Sequence, residues 1–217
     1  MPMQSPAELL TRVPVVPVLT IDRLDAAVPL ARALVAGGLT VLEVTLRTKV
    51  ALDAVKTLIA EVPQATIGIG TITAEPDIWL ALASGAKFLA TPGTPPRLAA
   101  ALRYSPVPVL PGCGTVSEAM ELAAYGFSVL KFFPAERAGG VGFLKAIAAP
   151  LPAIKFCPTG GVDRRKAPAY LALPNVLAVG GSWVAPKDAI EGGDFARIET
   201  LATEAAKLRP RRAGNLD

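Results

Sequence analysis

The chain of 217 residues contains no histidine. Proton transfer must therefore use a carboxylate, an amine, a hydroxyl or water, and histidine-based triads and the usual imidazole zinc sites are excluded. Cysteine occurs only at Cys113 and Cys157, which form neither a metal-ligand spacing nor a disulfide framework. That usage fits a reducing cytosol, so a cytoplasmic location is expected, and each thiol reads most simply as a small buried apolar side chain. Aromatics make up 6% of residues and leave few stacking platforms for single-stranded nucleic acid. Net charge is only +4, and the basic tail at Arg209, Arg211 and Arg212 is small and local, so no nucleic-acid partner is expected. Mean hydropathy is +0.45, but charges interrupt every apolar run before it reaches the ~18 residues of a membrane span. The opening segment MPMQSPAELLTRV also lacks the charged and apolar regions of a secretory leader.

What is present is 52% apolar and 18% charged sequence, enough for one sizeable core and one domain over residues 1–217. Short runs rich in β-branched residues recur at residues 13–20, 39–45, 66–70, 87–91, 107–111, 128–133, 153–157 and 176–180. Alanine-rich segments with apolar residues at helical spacing follow them, such as ALDAVKTLIAEV and SEAMELAAYG. A last helix is expected at 194–208, a short helix ahead of the first strand, and a flexible tail over 209–217. Gly37, Gly85 and Gly126 stand where a left-handed C-cap favours glycine. Strands apolar on both faces belong in a parallel sheet covered by helices, and about eight repeats predict a closed single-domain (β/α)8 TIM barrel over an open doubly wound sheet. The prolines of the first strand cannot donate to a ladder and blur its boundaries.

In such a barrel, chemistry collects at the carboxyl ends of the strands. Glu43 and Arg47 fall late in LTVLEVTLR, Thr71 closes IGIGT, Pro92 follows FLAT, and Thr115 follows a Pro-Gly-Cys-Gly turn. Lys131 interrupts the apolar run SVLKFF. Such a lysine is either a snorkelling or ion-paired side chain or a reactive amine, since burial favours the neutral, nucleophilic form of an amine. A neutral amine condenses with a ketone to give an iminium, an electron sink for an adjacent carbon–carbon bond. Glu43 and Arg47 share parity with Thr45 along the second strand, so a strand that extends that far points both to one side; they read either as a structural salt bridge or as a proton-transfer group beside a guanidinium fork for a carboxylate. Thr159-Gly160-Gly161 and Gly180-Gly181-Ser182 follow the last two strands, where barrels bind phosphate; the plain alternative is two tight turns. Trp79 reads as a packing residue, and Trp183, beside Ser182, either packs behind the phosphate end or lines it, packing being the favoured reading.

Several blocks occur in order: VVPV, ALVAGG, LEVTLRT, GTI, TPG, KFFPAE, FCPTGG and GGSW. Together they resemble the 2-keto-3-deoxy-6-phosphogluconate (KDPG) aldolases of the Entner–Doudoroff pathway, which also include 4-hydroxy-2-oxoglutarate (KHG) aldolases. The resemblance implies a trimeric barrel that splits a phosphorylated keto acid into pyruvate and glyceraldehyde 3-phosphate with no metal or other cofactor. It implies that Lys131 forms the Schiff base, Glu43 transfers protons, and Arg47 and Thr71 hold the pyruvyl portion. Pro92, Phe133 and Thr159 are further substrate-binding candidates, and Gly160, Gly161, Gly180, Gly181 and Ser182 would hold the phosphate. One departure is PGCGTVSE, where Cys113-Gly114 replaces an expected bulkier aliphatic and small residue. Alternatives are the aldolase for the galactonate epimer, a phosphosugar isomerase or decarboxylase on the same barrel, and a non-catalytic scaffold keeping only the trimer surface.

Overall fold

The structure, a computed structural model, describes residues 5–208; the tail expected to be flexible lies outside the described residues. Strands β1 (Val15–Leu19), β2 (Val41–Thr45), β3 (Thr66–Gly70) and β4 (Leu89–Ala90) pair in chain order, and every pairing is parallel. The fifth barrel strand comes in two pieces: β5 (Val109–Leu110) pairs with β4, and β6 (Gly112–Cys113) pairs with β7 (Val129–Phe132). Pro111 lies between them, where its missing N–H breaks the ladder while its carbonyl accepts the Lys131 N–H at 2.9 Å. β7 pairs with β8 (Lys155–Pro158), bridges Phe156–Val176 and Thr159–Gly180 join β8 to β9 (Val179–Gly181), and β9 pairs with β1. The ring is closed, as the repeat pattern predicts.

Helix α1 (Pro6–Leu10) precedes the first strand, and α2 (Leu24–Ala36), α3 (Ala51–Glu61), α4 (Glu75–Ala83), α5 (Pro96–Leu102) and α6 (Val116–Ala124) cover the first half of the ring. The second half carries α7 (Gly140–Ile147), α8 (Ala167–Leu171), α9 (Lys187–Glu191) and α10 (Phe195–Ala206). α2 shows why these segments are helical: Ala27, Leu30, Ala31 and Leu34 recur at three- and four-residue intervals and are buried on one stripe. Each leucine so buried stabilises the fold by about 1.5–3 kcal/mol relative to leaving it in water. β2 is buried at all five positions, the signature of a strand covered on both faces.

Several local expectations are corrected. Gly37 is right-handed at φ −72°, and its neighbour Gly38 takes the left-handed turn at φ +92°. Gly37 is instead required by packing, because a Cβ there would lie 2.4 Å from the Cβ of Ala202 on α10. Trp79 does not pack; it is 71% exposed on α4. The Pro-Gly-Cys-Gly segment is no turn but supplies β6, and Thr115 caps α6 by accepting the Glu118 N–H at 3.2 Å. Pro17 sits inside β1, and the registered pairs between β1 and β2 begin only at Val18.

Candidate active site

Closure of the ring brings β7 opposite β2, so residues 88 apart in sequence meet in the interior: the Lys131 Nζ donates to Glu43 Oε1 at 2.7 Å. Both are buried, Lys131 to 5% exposure and Glu43 to 3%. The ion-paired reading of this lysine is therefore correct in part, but its partner is Glu43. The Glu43–Arg47 salt bridge is not formed. Two desolvated charges are held by their mutual attraction, and removing either would leave the other buried without a partner at a cost of about 3–5 kcal/mol. A proton moving from the ammonium to the carboxylate across this contact leaves a neutral amine beside a carboxylic acid, the pair needed for addition to a carbonyl and for the proton transfers that follow.

Room for this contact is made by the next strand. A Cβ at Gly70 would fall 2.0 Å from Glu43 Oε1 and 2.5 Å from its Cδ, so the glycine is the space in which the carboxyl group lies. Thr45, two residues on, is fully buried and donates its hydroxyl to the Leu19 carbonyl at 2.9 Å, which ties the end of β2 to β1. β2 ends there, so alternation along the strand does not aim Arg47; a turn does, with its N–H on the Thr45 carbonyl at 2.8 Å.

Lys131 and Arg47 line a cavity of about 260 Å³ together with Phe133, Thr159, Gly160, Gly161, Gly180, Gly181 and Ser182. Nine of the twelve site residues expected from sequence thus face one space, and Glu43 reaches it through Lys131. Thr71 and Pro92 do not line it. Thr71 follows β3 with φ +65°, the only positive φ at a non-glycine among the described residues, and Pro92 follows β4, its carbonyl crowding the inner side of Gly112. The Arg47 side chain makes no hydrogen bond or ion pair among the described residues, so its guanidinium fork is open to a ligand. The Lys131 Nζ lies 5.9 Å from the centre of the Phe133 ring, which closes one wall.

The opposite end of the cavity is built from main chain. Gly160 and Gly161 take φ +99° and +78°, and a Cβ at Gly180 would lie 2.2 Å from the Thr159 hydroxyl. Among the described residues the N–H groups of Gly160, Gly161, Val162 and Ser182 donate to no acceptor of the protein. Unpaired amides converging on a cavity form a site for an anion. A larger and more apolar cavity of about 580 Å³ adjoins it, sharing Val18, Thr20 and Ser182 and lined by Trp183, but neither Lys131 nor Arg47 faces it. Val18, Thr20 and Val162 also line the smaller cavity and were missed from sequence; Thr20, a polar residue closing the first strand run, met the same criterion as Thr71.

Both thiols are inert by environment. Burial pushes Cys157 up to about 12 even though it pairs with Lys131 across β7 and β8, and burial, then the Glu118 charge, pushes Cys113 up to about 12. Cys113 packs in β6 beside Phe132 and does not line the cavity, so the departure at Cys113-Gly114 lies behind the site. Among the described residues no group of three or more Cys, Asp or Glu side chains gathers to hold a metal, and no helix is long and apolar enough to cross a membrane.

The family described as KDPG and KHG aldolase matches residues 7–201. The chain is 49% identical to the 2-dehydro-3-deoxy-phosphogluconate aldolase of Dickeya dadantii over 93% of its own length and 94% of that protein's. It is 47% identical to the KHG/KDPG aldolase of Escherichia coli K12, covering 94% and 95% of the two chains. Among solved structures, the KDPG aldolase of Legionella pneumophila, with pyruvate captured as a covalent carbinolamine, superposes with a TM-score of 0.92 at 43% identity, covering 94% of this chain and 98% of that one.

Proposed function

Because the chain belongs to the KDPG and KHG aldolase family, we propose that it is a class I, Schiff-base aldolase cleaving 2-keto-3-deoxy-6-phosphogluconate to pyruvate and glyceraldehyde 3-phosphate, with 4-hydroxy-2-oxoglutarate as a second substrate. The observation that carries this reading is the 2.7 Å contact between Lys131 and Glu43, buried in the barrel yet opening on a cavity.

Arg47 holds the substrate carboxylate and sets its keto carbon over Lys131; for Thr71 and Pro92, which do not line the cavity, a substrate contact rests on the family resemblance alone. The neutral amine adds to that carbon, and loss of water leaves an iminium. As the bond between C3 and C4 breaks, its electron pair flows into the iminium, and the C4 hydroxyl proton passes to Glu43, directly or through a water. Glyceraldehyde 3-phosphate leaves and an enamine is left on Lys131. Glu43 returns a proton to C3, and hydrolysis of the resulting iminium frees pyruvate and the amine. Thr159 holds the middle of the substrate, and the two glycine turns receive the phosphate through the unpaired amides of Gly160, Gly161, Val162 and Ser182 and the Ser182 hydroxyl, with Gly180 and Gly181 lining the space beside it. Phe133 excludes water from the reacting carbons.

The working form is a cytoplasmic homotrimer, supported by the family resemblance and by the exposed Trp79, Leu80, Tyr104 and Met120; light scattering on the eluted protein checks the mass. For the activity, the chain is incubated with pyruvate and borohydride and its intact mass is measured. A single reduced pyruvyl adduct on Lys131 is expected, absent from Lys131→Ala. If Lys131→Ala cleaves the substrate as well as the parent does, the reading is wrong.

A further inference from the structure

Behind the turn at Gly160-Gly161, on the side away from the cavity, lies a polar cluster that takes no part in the chemistry above. Lys166 donates to the Gly161 carbonyl at 3.1 Å and pairs with Glu136 at 2.8 Å; Tyr170, fully buried, donates its hydroxyl to the other oxygen of Glu136. The Asp163 carboxylate accepts the Lys166 N–H at 3.0 Å and so fixes where that side chain starts. The stem of Glu136 presses on the turn as well, since a Cβ at Gly161 would lie 2.8 Å from its Cγ.

In a trans peptide the carbonyl and the following N–H point in opposite directions. Holding the Gly161 carbonyl outward on Lys166 therefore turns the Val162 N–H the other way, and Val162 lines the cavity. Glu136 also belongs to the segment that carries Lys131, its own N–H donating to the Gly160 carbonyl at 3.1 Å. The cluster thus ties the anion-binding amides to the strand of the nucleophile.

We propose that Lys166, Glu136 and Tyr170 form a latch that fixes the orientation of the Gly161–Val162 peptide and thereby sets affinity for the phosphate end of the substrate. The three are positioning residues, since none lines the cavity. This inference rests on the reading of the glycine turns as the phosphate site.

The test uses the full chain with Lys166→Met, which keeps the stem and removes the ammonium at a half-exposed position, with Lys166→Arg as the conservative variant. The expected result is a rise of about tenfold, or ~1.4 kcal/mol, in KM for the phosphorylated substrate and in the inhibition constant of inorganic phosphate. kcat should hold within about twofold, as should both constants for unphosphorylated 4-hydroxy-2-oxoglutarate, and Lys166→Arg should restore most of the phosphate affinity. A merely structural role would lower both activities together. Equal phosphate inhibition of parent and Lys166→Met, or a parallel loss on both substrates, overturns the latch but leaves the phosphate site standing. A parent not inhibited by phosphate at all overturns the phosphate site and the latch with it. Glu136→Gln, tested in the same way, must show the same split.

Discussion

Substituting Gly70 by alanine is the sharpest perturbation of the site, because it touches neither reacting group. The added methyl would lie 2.0 Å from Glu43 Oε1, and ordinary contact begins near 3.4 Å, so the carboxyl group must retreat by about 1.4 Å. Its hydrogen bond to Lys131, 2.7 Å in the parent, is then stretched or lost. Misplacement of a reacting group by about 1 Å costs on the order of a hundredfold in rate, and overpacking costs about 1–3 kcal/mol of stability. We therefore expect Gly70→Ala to lower kcat about a hundredfold and slow borohydride trapping of pyruvate in parallel. The control is Gly68→Ala, two residues earlier on the same face of β3, where the new methyl would meet the Phe88 ring at 2.4 Å. The three atoms nearest that methyl all belong to Phe88, so it overpacks the same interior first against an apolar ring rather than against the carboxyl group. Cleavage is measured per folded molecule, with folding checked by circular dichroism. Activity of Gly70→Ala within about threefold of the parent, or an equal loss in Gly68→Ala, refutes the argument that Gly70 holds the carboxyl group on the amine.

Other perturbations give further expected outcomes. Glu43→Gln keeps the shape but not the proton acceptor, so kcat should fall by about 10²–10⁴, as steady-state cleavage rates will show. Thr71→Gly removes a positive φ that costs a non-glycine roughly 1–2 kcal/mol, so its melting temperature should hold or rise while KM for the keto acid increases; a fall in both would contradict the strain argument. Cys113 and Cys157, pushed up to about 12, should resist iodoacetamide at pH 8 in the native protein and both react after denaturation, as read by intact mass. Glu136 faces Lys166, Tyr170 and Asp163, and the Lys166 hydrogen bond, then that of Tyr170, holds its carboxyl below the ordinary glutamate range. A depressed folded value means that the stabilisation is full at neutral pH and is lost as pH falls through the ordinary range (~4.3) and below. The gap in melting temperature between the parent and Glu136→Gln should therefore close on acidification, and a gap that widens reverses the sign.

Lys131 was legible from sequence because a charge inside an apolar run is costly anywhere, so its presence alone demands a reason. Strand boundaries were legible to within two or three residues because β-branched runs and their flanking glycines act locally. The partner of Lys131 was not legible in the same sense. Glu43 lies 88 residues away, and which interior side chains touch depends on the register around the closed ring, a property of no single segment. Arg47 was placed in the site by alternation along a strand that stops at Thr45, so the outcome was right for a different geometric reason. Trp79 failed because Ile78, Trp79 and Leu80 are all apolar, and three consecutive apolar residues give a helical pattern no phase. Neither Glu136 nor Lys166 had a role legible from sequence, because nothing in their own neighbourhoods marks the Gly161 carbonyl that Lys166 bonds.

Glycine serves the interior of this barrel by making room as well as by making turns. Gly70 receives Glu43 from β2, and Gly180 receives the Thr159 side chain that follows β8. In both cases a polar side chain needed in the interior lies over a glycine of the neighbouring strand, because parallel strands 4.8 Å or so apart leave no other room for it. Specificity for these polar groups is thus written twice, once in the residue that carries the chemistry and once in the absence of a side chain beside it. A chain that kept Lys131 and Glu43 but bore any side chain at position 70 would hold both reacting groups in place on their strands and still lack the 2.7 Å contact between them.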